Sequence, residues 1–361
     1  MTLTPHRPAR PAGQRGTARL AWVDAGRGLA IALVVLHHAI GAFDDLGFGS
    51  PVLVEASELV RTMRMPLFFA LAGLVATSWV APGASWRRLV GTKLVVLGWA
   101  YVLWMVLRAA WFGVVLPSPR QSPGPAELVE RLWLPEAGWF LFTLGVFFLA
   151  ARATARAPSW LVIGTTIALS VAAYAAWLRT DNPAWDGALR YACFFVIGVR
   201  ARHHLVGLGE RTTPRRATAV VGLWAAAWIV LDLAGVRSVP GVHTGLRLGG
   251  VAAGVCLAVV CARSELLRRL GRATLPVYLA HQLIVLPGAA LVVGAVGLDL
   301  TGHPLAGLAV LVLPFGLFAL ALTASWALGE WAARSRFAWL FAPPPALLAA
   351  TSGRRVPSGV R

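Results

Sequence analysis

The chain has 361 residues, of which 58% are hydrophobic and only 13% charged, and its mean hydropathy is +0.69. Soluble domains are typically about 45–50% apolar and about 25% charged, so a water-soluble protein of this length is excluded, as is a disordered chain. The net charge is nevertheless +18, from 33 Lys and Arg residues against 15 Asp and Glu residues. Such an excess indicates either nucleic acid or membrane topology, and the positions of the arginines decide between them.

Apolar segments of membrane-helix length follow one another along the chain. A transmembrane helix needs about 20 mostly apolar residues. Ten spans are predicted, and because two are short, nine or eleven stay open: 22–43, 65–81, 89–112, 138–151, 159–178, 187–200, 218–236, 246–262, 274–298 and 304–328. Only helices and closed barrels satisfy their backbone in lipid, and these segments lack the alternation of barrel strands. The predicted fold is therefore all-α, a polytopic transmembrane helical bundle of about ten spans.

The basic residues support this arrangement. With a cytoplasmic N-terminus, 23 of the 33 Lys and Arg residues fall on the cytoplasmic side and eight on the far side. This positive-inside pattern predicts a multi-pass protein of the cytoplasmic membrane with both termini in the cytoplasm. Nucleic acid is not predicted as a partner, because the arginines are spread over alternate loops instead of one face. The predicted partner is the lipid bilayer.

The same reading divides the chain into three parts. Residues 1–20 are an Arg- and Pro-rich cytoplasmic tail, residues 21–342 are the membrane domain, and residues 343–361 are predicted to be a disordered cytoplasmic tail. Three cysteines, Cys193, Cys256 and Cys261, fall in predicted spans with neither a disulfide framework nor zinc spacing. No metal site is predicted.

The first span contains a stripe of ionisable residues, which are costly in a bilayer and therefore candidates for function. Arg27 and His38 are eleven residues apart, which places them on one helix face, about 16 Å apart along the axis. Asp24 lies one turn before Arg27 and is predicted to pair with it, whereas His37 points about 100° away from His38. A structural role explains Arg27 and Asp24 about as well as a functional one: the Arg27 side chain extends to the cytoplasmic headgroups, and Asp24 neutralises its charge. His38 lies about 15 Å into the apolar run and has to face protein or a wet cavity.

A second histidine is predicted at a similar depth in the ninth span. His281 lies about 13 Å beyond Arg272 along the helix, and Tyr278 is three residues earlier on a neighbouring face. A hydrogen-bonded pair between helices, worth under about 2 kcal/mol, explains Tyr278 and His281 nearly as well as a direct chemical role.

Four short sequence motifs follow one another along the chain. They are Asp24-x-x-Arg27-Gly28 followed by His38; Met65-Pro-Leu-Phe-Phe-Ala-Leu-Ala-Gly73; Trp139-Phe-Leu141; and Leu270-Gly-Arg272 leading to Tyr278 and His281. Together, over about residues 20–342, they resemble the acyltransferase 3 family of integral membrane acyltransferases. Ala72 and Thr274 stand where the family often has Ser, and Ala137 and Gly138 stand where a His often precedes Trp-Phe-Leu.

The resemblance implies transfer of an acyl group, with acetyl as the default, from cytoplasmic acyl-CoA to a hydroxyl of a carbohydrate or similar acceptor. It implies His38 as general base or transient acyl carrier, Arg27 as the group that binds the CoA phosphates or seats the donor, and Asp24 as the residue that orients Arg27. Acyl-CoA is then the donor substrate and no cofactor is bound. A cell-wall polysaccharide, a lipopolysaccharide-like glycan, a glycolipid and a secondary metabolite all stay open as acceptors.

Five further residues are assigned to substrate binding. The family frequently has an Arg-x-x-Arg motif before the third span, and this chain does not match it. Arg87, Arg88 and Lys93 lie in that region instead and are predicted to attract the anionic donor. Topogenic charge explains these three at least as well. Tyr278 and His281 are predicted to line the cavity and to assist the acceptor hydroxyl or the oxyanion.

A transporter or flippase of a glycan or small solute is the alternative. Midplane histidines and an Arg–Asp pair suit proton relay or solute binding. The absence of a visible internal repeat in the sequence counts mildly against it. Release of CoA that depends on an acceptor distinguishes the enzyme from the transporter.

Overall fold

The computed structural model describes residues 20–116, 124–237, 239–296 and 306–352, and its regular structure there is helical throughout. The predicted N-terminal tail therefore lies outside the described residues, apart from Leu20. The α-helices are α1 (Ala21–Asp44), α2 (Pro51–Val80), α3 (Trp86–Arg88), α4 (Val95–Val115), α5 (Pro125–Glu130), α6 (Trp139–Ala153), α7 (Ser159–Tyr174), α8 (Pro183–Arg200), α9 (Arg202–Arg211), α10 (Pro214–Leu233), α11 (Val242–Val260), α12 (Glu265–Arg272), α13 (Thr274–Val296), α14 (Ala306–Ala333) and α15 (Pro345–Ser352). A π-helical segment, Leu89–Leu94, joins α3 to α4.

Short-range sequence signals fix several helix starts. Pro51, Pro183 and Pro214 occupy the first turn of α2, α8 and α10, where a missing N–H costs nothing. Asn182 and Thr213 cap α8 and α10 by accepting hydrogen bonds from backbone N–H groups of the first turn. The local sequence therefore determines the residue at which each of these three helices begins.

Each of the ten predicted segments falls on a helix of the structure. Within the described ranges, seven helices are long and apolar enough to cross a membrane. Of the other three, α6 and α7 have only 15 and 16 residues, and α8 includes Asp186, Arg190 and Arg200 in its 18. The all-helical membrane fold is confirmed, while the count of ten spans and the cytoplasmic placement of both termini stay predictions.

The helix α1 lies at the centre of the bundle. It packs against α2, α11, α12, α13 and α14, and α2 in turn packs against α8 and α11. The apolar parts of α1, α2 and α11 are half or more buried, whereas those of α10 and α14 are mostly exposed. The end where α1 and α13 begin is called the inner end, and the end where α2 and α11 begin is called the outer end, following the predicted topology.

Two backbone-to-backbone crossings hold the centre together, and each depends on glycine. A Cβ on Gly28 of α1 would lie 2.0 Å from the Leu267 carbonyl oxygen of α12, and one on Gly271 would lie 1.8 Å from that of Asp24. Gly73 of α2 and Gly198 of α8 approach each other's helices equally closely. Small residues at such crossings let membrane helices approach closely. Three of these glycines, Gly28, Gly73 and Gly271, belong to the sequence motifs.

The structure differs from the predicted disordered tail over Pro345–Ser352, which form α15. This helix packs on the π-helical segment, where the Thr351 hydroxyl donates a 2.8 Å hydrogen bond to the Gly91 carbonyl. A Cβ on Gly91 would lie 2.3 Å from the Thr351 carbonyl oxygen, so the contact requires glycine there. The Pro-, Ala-, Gly- and Arg-rich composition predicted disorder and did not reveal this docking contact. Residues 353–361 of the tail lie outside the described residues.

Candidate active site

Two histidines meet in the interior of the bundle. The rings of His38 on α1 and His281 on α13 have centroids 5.0 Å apart, and His281 Nε2 lies 3.4 Å from His38 Nδ1. The side chain of His281 is 2% exposed and that of His38 is half-buried. We call these two residues the histidine pair. Their contact brings together two motifs that are more than 240 residues apart in the sequence.

Backbone contacts fix which nitrogen of each ring carries hydrogen. His38 Nδ1 lies 2.8 Å from the Val34 carbonyl oxygen, and His281 Nδ1 lies 2.9 Å from that of Val277. A carbonyl only accepts, so both Nδ1 atoms are donors, and in neutral rings the lone pairs are on Nε2. The single His38 Nδ1–H is therefore shared between the Val34 carbonyl and, as the longer contact, His281 Nε2. His38 Nε2 carries the lone pair that a base or nucleophile needs.

The neighbouring His37 faces a different helix. Its Nδ1 lies 2.8 Å from the hydroxyl of Ser57 on α2, and its ring centroid is 5.3 Å from that of His38. The helical phasing inferred from the sequence, which separated these two histidines, is thus confirmed. His38 faces α13 and His37 faces α2.

Aromatic residues from three motifs surround the histidine pair. The ring of Tyr278 lies 6.2 Å from that of His281 and 5.3 Å from that of Phe140. Phe140, from the Trp-Phe-Leu motif, also packs edge-on against Phe68 of the second motif at 4.9 Å. The structure therefore places Tyr278 beside His281 as predicted, in a wall of aromatic rings.

Arg27 lies at the inner end of the same face of α1. One of its terminal nitrogens donates a 2.9 Å hydrogen bond to the hydroxyl of Thr274, the first residue of α13. Thr274 stands at the position where the sequence comparison above expects Ser, and its hydroxyl makes the hydrogen bond that a Ser hydroxyl could also make. Asp24 is 5% exposed, one turn before Arg27, and its ion pair with Arg27 stays a prediction.

Two of the three predicted donor-binding cations converge on one ring. The guanidinium carbon of Arg88 and the ammonium nitrogen of Lys93 lie 4.5 and 4.8 Å from the centre of the Trp79 ring. Lys93 is also within electrostatic range of Arg27. It lies in the π-helical segment, a distortion that is frequent at functional sites. Arg87 is exposed at the surface and its role stays a prediction.

Arg108 is a neighbour of the site and had no role assigned from the sequence. Its guanidinium donates a 2.7 Å hydrogen bond to the amide oxygen of Gln282, which follows His281 in the chain. It acts electrostatically on both members of the histidine pair and on Tyr278. The sequence signal was an arginine inside a predicted span, which is rare enough to indicate function.

Two further arginines, which the sequence prediction counted with the far-side charges, are inside the bundle. Arg64 and Arg247 are 4% and 3% exposed. The predicted second span began at residue 65, but α2 begins at Pro51, so Arg64 lies in mid-helix. The sequence prediction missed residues 51–64 of α2, because their charged side chains lower the local hydropathy. In the part of the chain that the structure describes, no group of three or more His, Cys, Asp and Glu side chains is placed to hold a metal ion.

The comparisons with known proteins agree with this geometry. The sequence profile of the acyltransferase 3 family, described as an acyltransferase domain, matches residues 20–330. That range contains the histidine pair, Arg27 and all four motifs. No curated protein and no solved structure matches the chain significantly. Since the profile spans most of the chain and includes the residues that meet in its interior, the protein belongs to the acyltransferase 3 family of membrane acyltransferases.

Proposed function

We propose that the protein transfers an acyl group, acetyl in the default case, from cytoplasmic acyl-CoA to a hydroxyl of a carbohydrate or glycosylated acceptor. The observation that carries this proposal is the histidine pair, in which the Nδ1 atom of His38 contacts Val34 and His281. The lone pair on His38 Nε2 is then available for proton transfer or attack. The protein acts in the cytoplasmic membrane, with both termini in the cytoplasm.

In the direct route, His38 Nε2 accepts the acceptor's O–H proton while the oxygen attacks the thioester carbonyl. The C–S bond then breaks, and the CoA thiolate leaves and takes the proton from the imidazolium. Positive charge develops on His38 during this step. His281 Nε2 and the Val34 carbonyl both face its Nδ1–H and stabilise that charge, as the carboxylate does in a catalytic triad.

In the carrier route, His38 Nε2 attacks the thioester itself. The products of this first step are an acyl-imidazolium and the CoA thiolate. The acceptor oxygen then attacks the acyl carbon, the C–N bond breaks, and the hydroxyl proton passes to the CoA thiolate, which leaves as the thiol. Arg108, which is hydrogen-bonded to Gln282 and acts electrostatically on both rings, stabilises the oxyanion in either route.

The inner end supplies the donor site in this proposal. Arg27, Arg88 and Lys93 lie where the phosphates of CoA arrive from the cytoplasm, and guanidinium groups bind phosphate through paired hydrogen bonds. Thr274 and Asp24 orient Arg27. A donor anchored there has to extend its thioester about 16 Å along α1 to reach His38. The family membership supports this enzyme over a transporter.

The test is a stoichiometric one. Protein reconstituted in vesicles receives acetyl-CoA labelled in the acetyl group, together with a panel of glycan acceptors. Over multiple turnovers, we expect CoA thiol to be released only when an acceptor is present, one for each labelled acceptor molecule formed. The carrier route adds at most one CoA per protein molecule without an acceptor. Movement of an acceptor across the vesicle membrane without thioester cleavage would identify a transporter and contradict the proposal.

A further inference from the structure

A second polar region lies beyond the histidine pair, at the outer end of the bundle. It consists of four arginines and two tyrosines, which we call the outer arginine cluster: Arg61 and Arg64 of α2, Tyr174 of α7, Arg190 and Tyr191 of α8, and Arg247 of α11. The guanidinium carbons of Arg247 and Arg190 lie 4.2 and 5.4 Å from the centre of the Tyr174 ring. Arg61, Arg64 and Arg247 all act electrostatically on Tyr191. Four helices thus direct these groups to one place.

The sequence draws α2 and α11 together at this point. Pro66 inside α2 has no N–H, so the carbonyl of Thr62, four residues earlier, loses its helical partner. Gly250 of α11 packs against that carbonyl, since a Cβ there would lie 2.3 Å from the oxygen. Arg247 is about one turn before Gly250 and is therefore held beside the outer half of α2.

The cluster carries a surplus of positive charge. Arg61 pairs with Glu58 at 2.9 Å, and Arg190 pairs with Asp186 at 3.5 Å. Arg64 and Arg247 are almost fully buried, and no carboxylate of the described residues lies within 4.0 Å of either guanidinium. A buried charge without a counter-charge is strongly unfavourable, and intramembrane arginines mark substrate or ion sites.

Two donors of the cluster lack acceptors. The Nε atoms of Arg247 and Arg190 are buried and make no hydrogen bond within the described part of the chain. One terminal nitrogen of Arg247 is engaged by His243, 2.9 Å from its Nδ1. Arg64 reaches only Ser57, with long contacts of 3.4 and 3.5 Å. An acceptor-rich anion is the chemical complement of such a set.

The cluster is adjacent to the chemistry. Arg64 contacts the Ser57 hydroxyl, which contacts His37, and His37 adjoins His38. The outer arginine cluster therefore lies on the side of the histidine pair opposite to Arg27. Donor and acceptor approach from opposite ends in the proposed reaction, so this is the acceptor's side.

We propose that the outer arginine cluster binds an anionic group of the acceptor, a carboxylate or a phosphate, and so directs the acceptor's hydroxyl toward His38. This inference rests on the proposed function for the identity of the ligand. Arg247 and Arg64 are its principal ligands, because Arg61 and Arg190 already have carboxylates. A neutral sugar would leave both buried guanidinium charges without a counter-charge.

Thermal unfolding of the purified full chain in a nonionic detergent tests the site without turnover. The melting temperature is measured in a phosphate-free buffer and then with sodium phosphate, sodium acetate or sodium chloride at equal ionic strength. We expect phosphate or acetate to raise Tm by about 3 °C over chloride. A larger shift in phosphate assigns a phosphate-bearing acceptor, and a larger shift in acetate assigns a carboxylate. An equal shift in chloride would overturn the proposal.

Variants tie the shift to the cluster. We expect Arg247→Met to raise Tm in the phosphate-free buffer, because it removes an uncompensated charge, and to abolish the anion-induced shift. The matched control is Arg237→Met, since Arg237 also stacks on an aromatic ring, Trp228 at 4.5 Å, but pairs with Asp232 at 3.1 Å. That variant should keep the shift. If Arg247→Met retains the shift or lowers Tm, the proposal is wrong; if it does not fold, Arg64→Met decides by the same comparison.

The two proposals fail separately in these assays. An Arg247-dependent anion shift in a protein that never releases CoA would leave the anion site standing and remove acyl transfer. Acceptor-dependent CoA release in a protein whose anion shift is absent would leave acyl transfer standing and remove the anion site.

Discussion

The face of α1 that packs on α12 and α13 differs from the face that packs on α2. Toward α12 and α13, α1 presents Arg27 to Thr274, crosses at Gly28, and presents His38 to His281. Toward α2, Gly26 packs near Leu71, and His37 contacts Ser57. Adjacent histidines of one helix thus enter different surroundings. In the proposed reaction the α13 side therefore holds the reacting groups, and the α2 side leads through Ser57 to the outer arginine cluster.

The largest expected effect comes from separating α1 and α12. In Gly271→Ala the new Cβ would lie 1.8 Å from the Asp24 carbonyl oxygen, so the helices have to move apart. We expect a loss of about 3 kcal/mol or more of stability, measured as a lower Tm in detergent. The control is Gly222→Ala on α10, where a Cβ meets nothing within 4 Å. It should be neutral or stabilising by up to about 1 kcal/mol, and equal Tm values for the two variants would contradict the crossing.

Removing the second histidine sharpens the comparison at the reacting atoms. His281→Ala removes the longer of the two acceptor contacts of His38 Nδ1–H and leaves the Val34 carbonyl in place. We expect kcat to fall roughly 10²-fold, with an unchanged KM for acyl-CoA, because Arg27 is unaffected. Steady-state kinetics on acceptor-dependent CoA release check this. A change confined to KM would show that His281 binds substrate and does not support His38.

The inner end of the same face is expected to act on binding. Arg27→Gln keeps a donor toward Thr274 but removes the charge that the CoA phosphates require. We expect the KM for acyl-CoA to rise about tenfold, with a smaller change in kcat. Arg334→Gln is the control, because Arg334 is an exposed arginine paired with Glu330. Identical KM values in the two variants would count against a donor site at Arg27.

The smallest effect concerns the exposed surface of α12. Hydrogen bonds from Arg269 and Arg272 lower the pKa of Glu265. A carboxyl whose pKa is lower in the folded state stabilises the fold above its unfolded pKa and loses this contribution as the pH falls through the folded value. We expect Glu265→Gln to lower Tm slightly at neutral pH and the difference to vanish in acid. A difference that persists in acid would assign Glu265 a role other than its charge.

Much of the fold was readable from the sequence because membrane helices are specified by length and hydropathy. Every predicted span falls on a helix, and the phasing that separated His38 from His37 was correct. The reading failed where charge interrupts an apolar run. Its second span began at residue 65, so the burial of Arg64 was missed, and composition did not reveal that α15 docks on Gly91.

The candidate site was predictable one helix at a time. Arg27, His38, Tyr278 and His281 stood out because polar residues in a span are costly. Their contacts were not predictable, because a single sequence does not specify which helices are neighbours. The pairing of His38 with His281 and the approach of Arg108 to both follow from the packing of α1, α4 and α13.

The central claim is that His38, and not its neighbour, carries the chemistry. The most direct measurement compares acceptor-dependent CoA release by His38→Ala and His37→Ala in membranes at matched protein amounts. We predict a loss of about 10³-fold for His38→Ala. For His37→Ala we predict a loss within about threefold, because it removes the Ser57 contact and an edge contact with the His38 ring but no hydrogen bond to His38. Turnover at the wild-type rate in His38→Ala, or the larger loss in His37→Ala, would contradict the account.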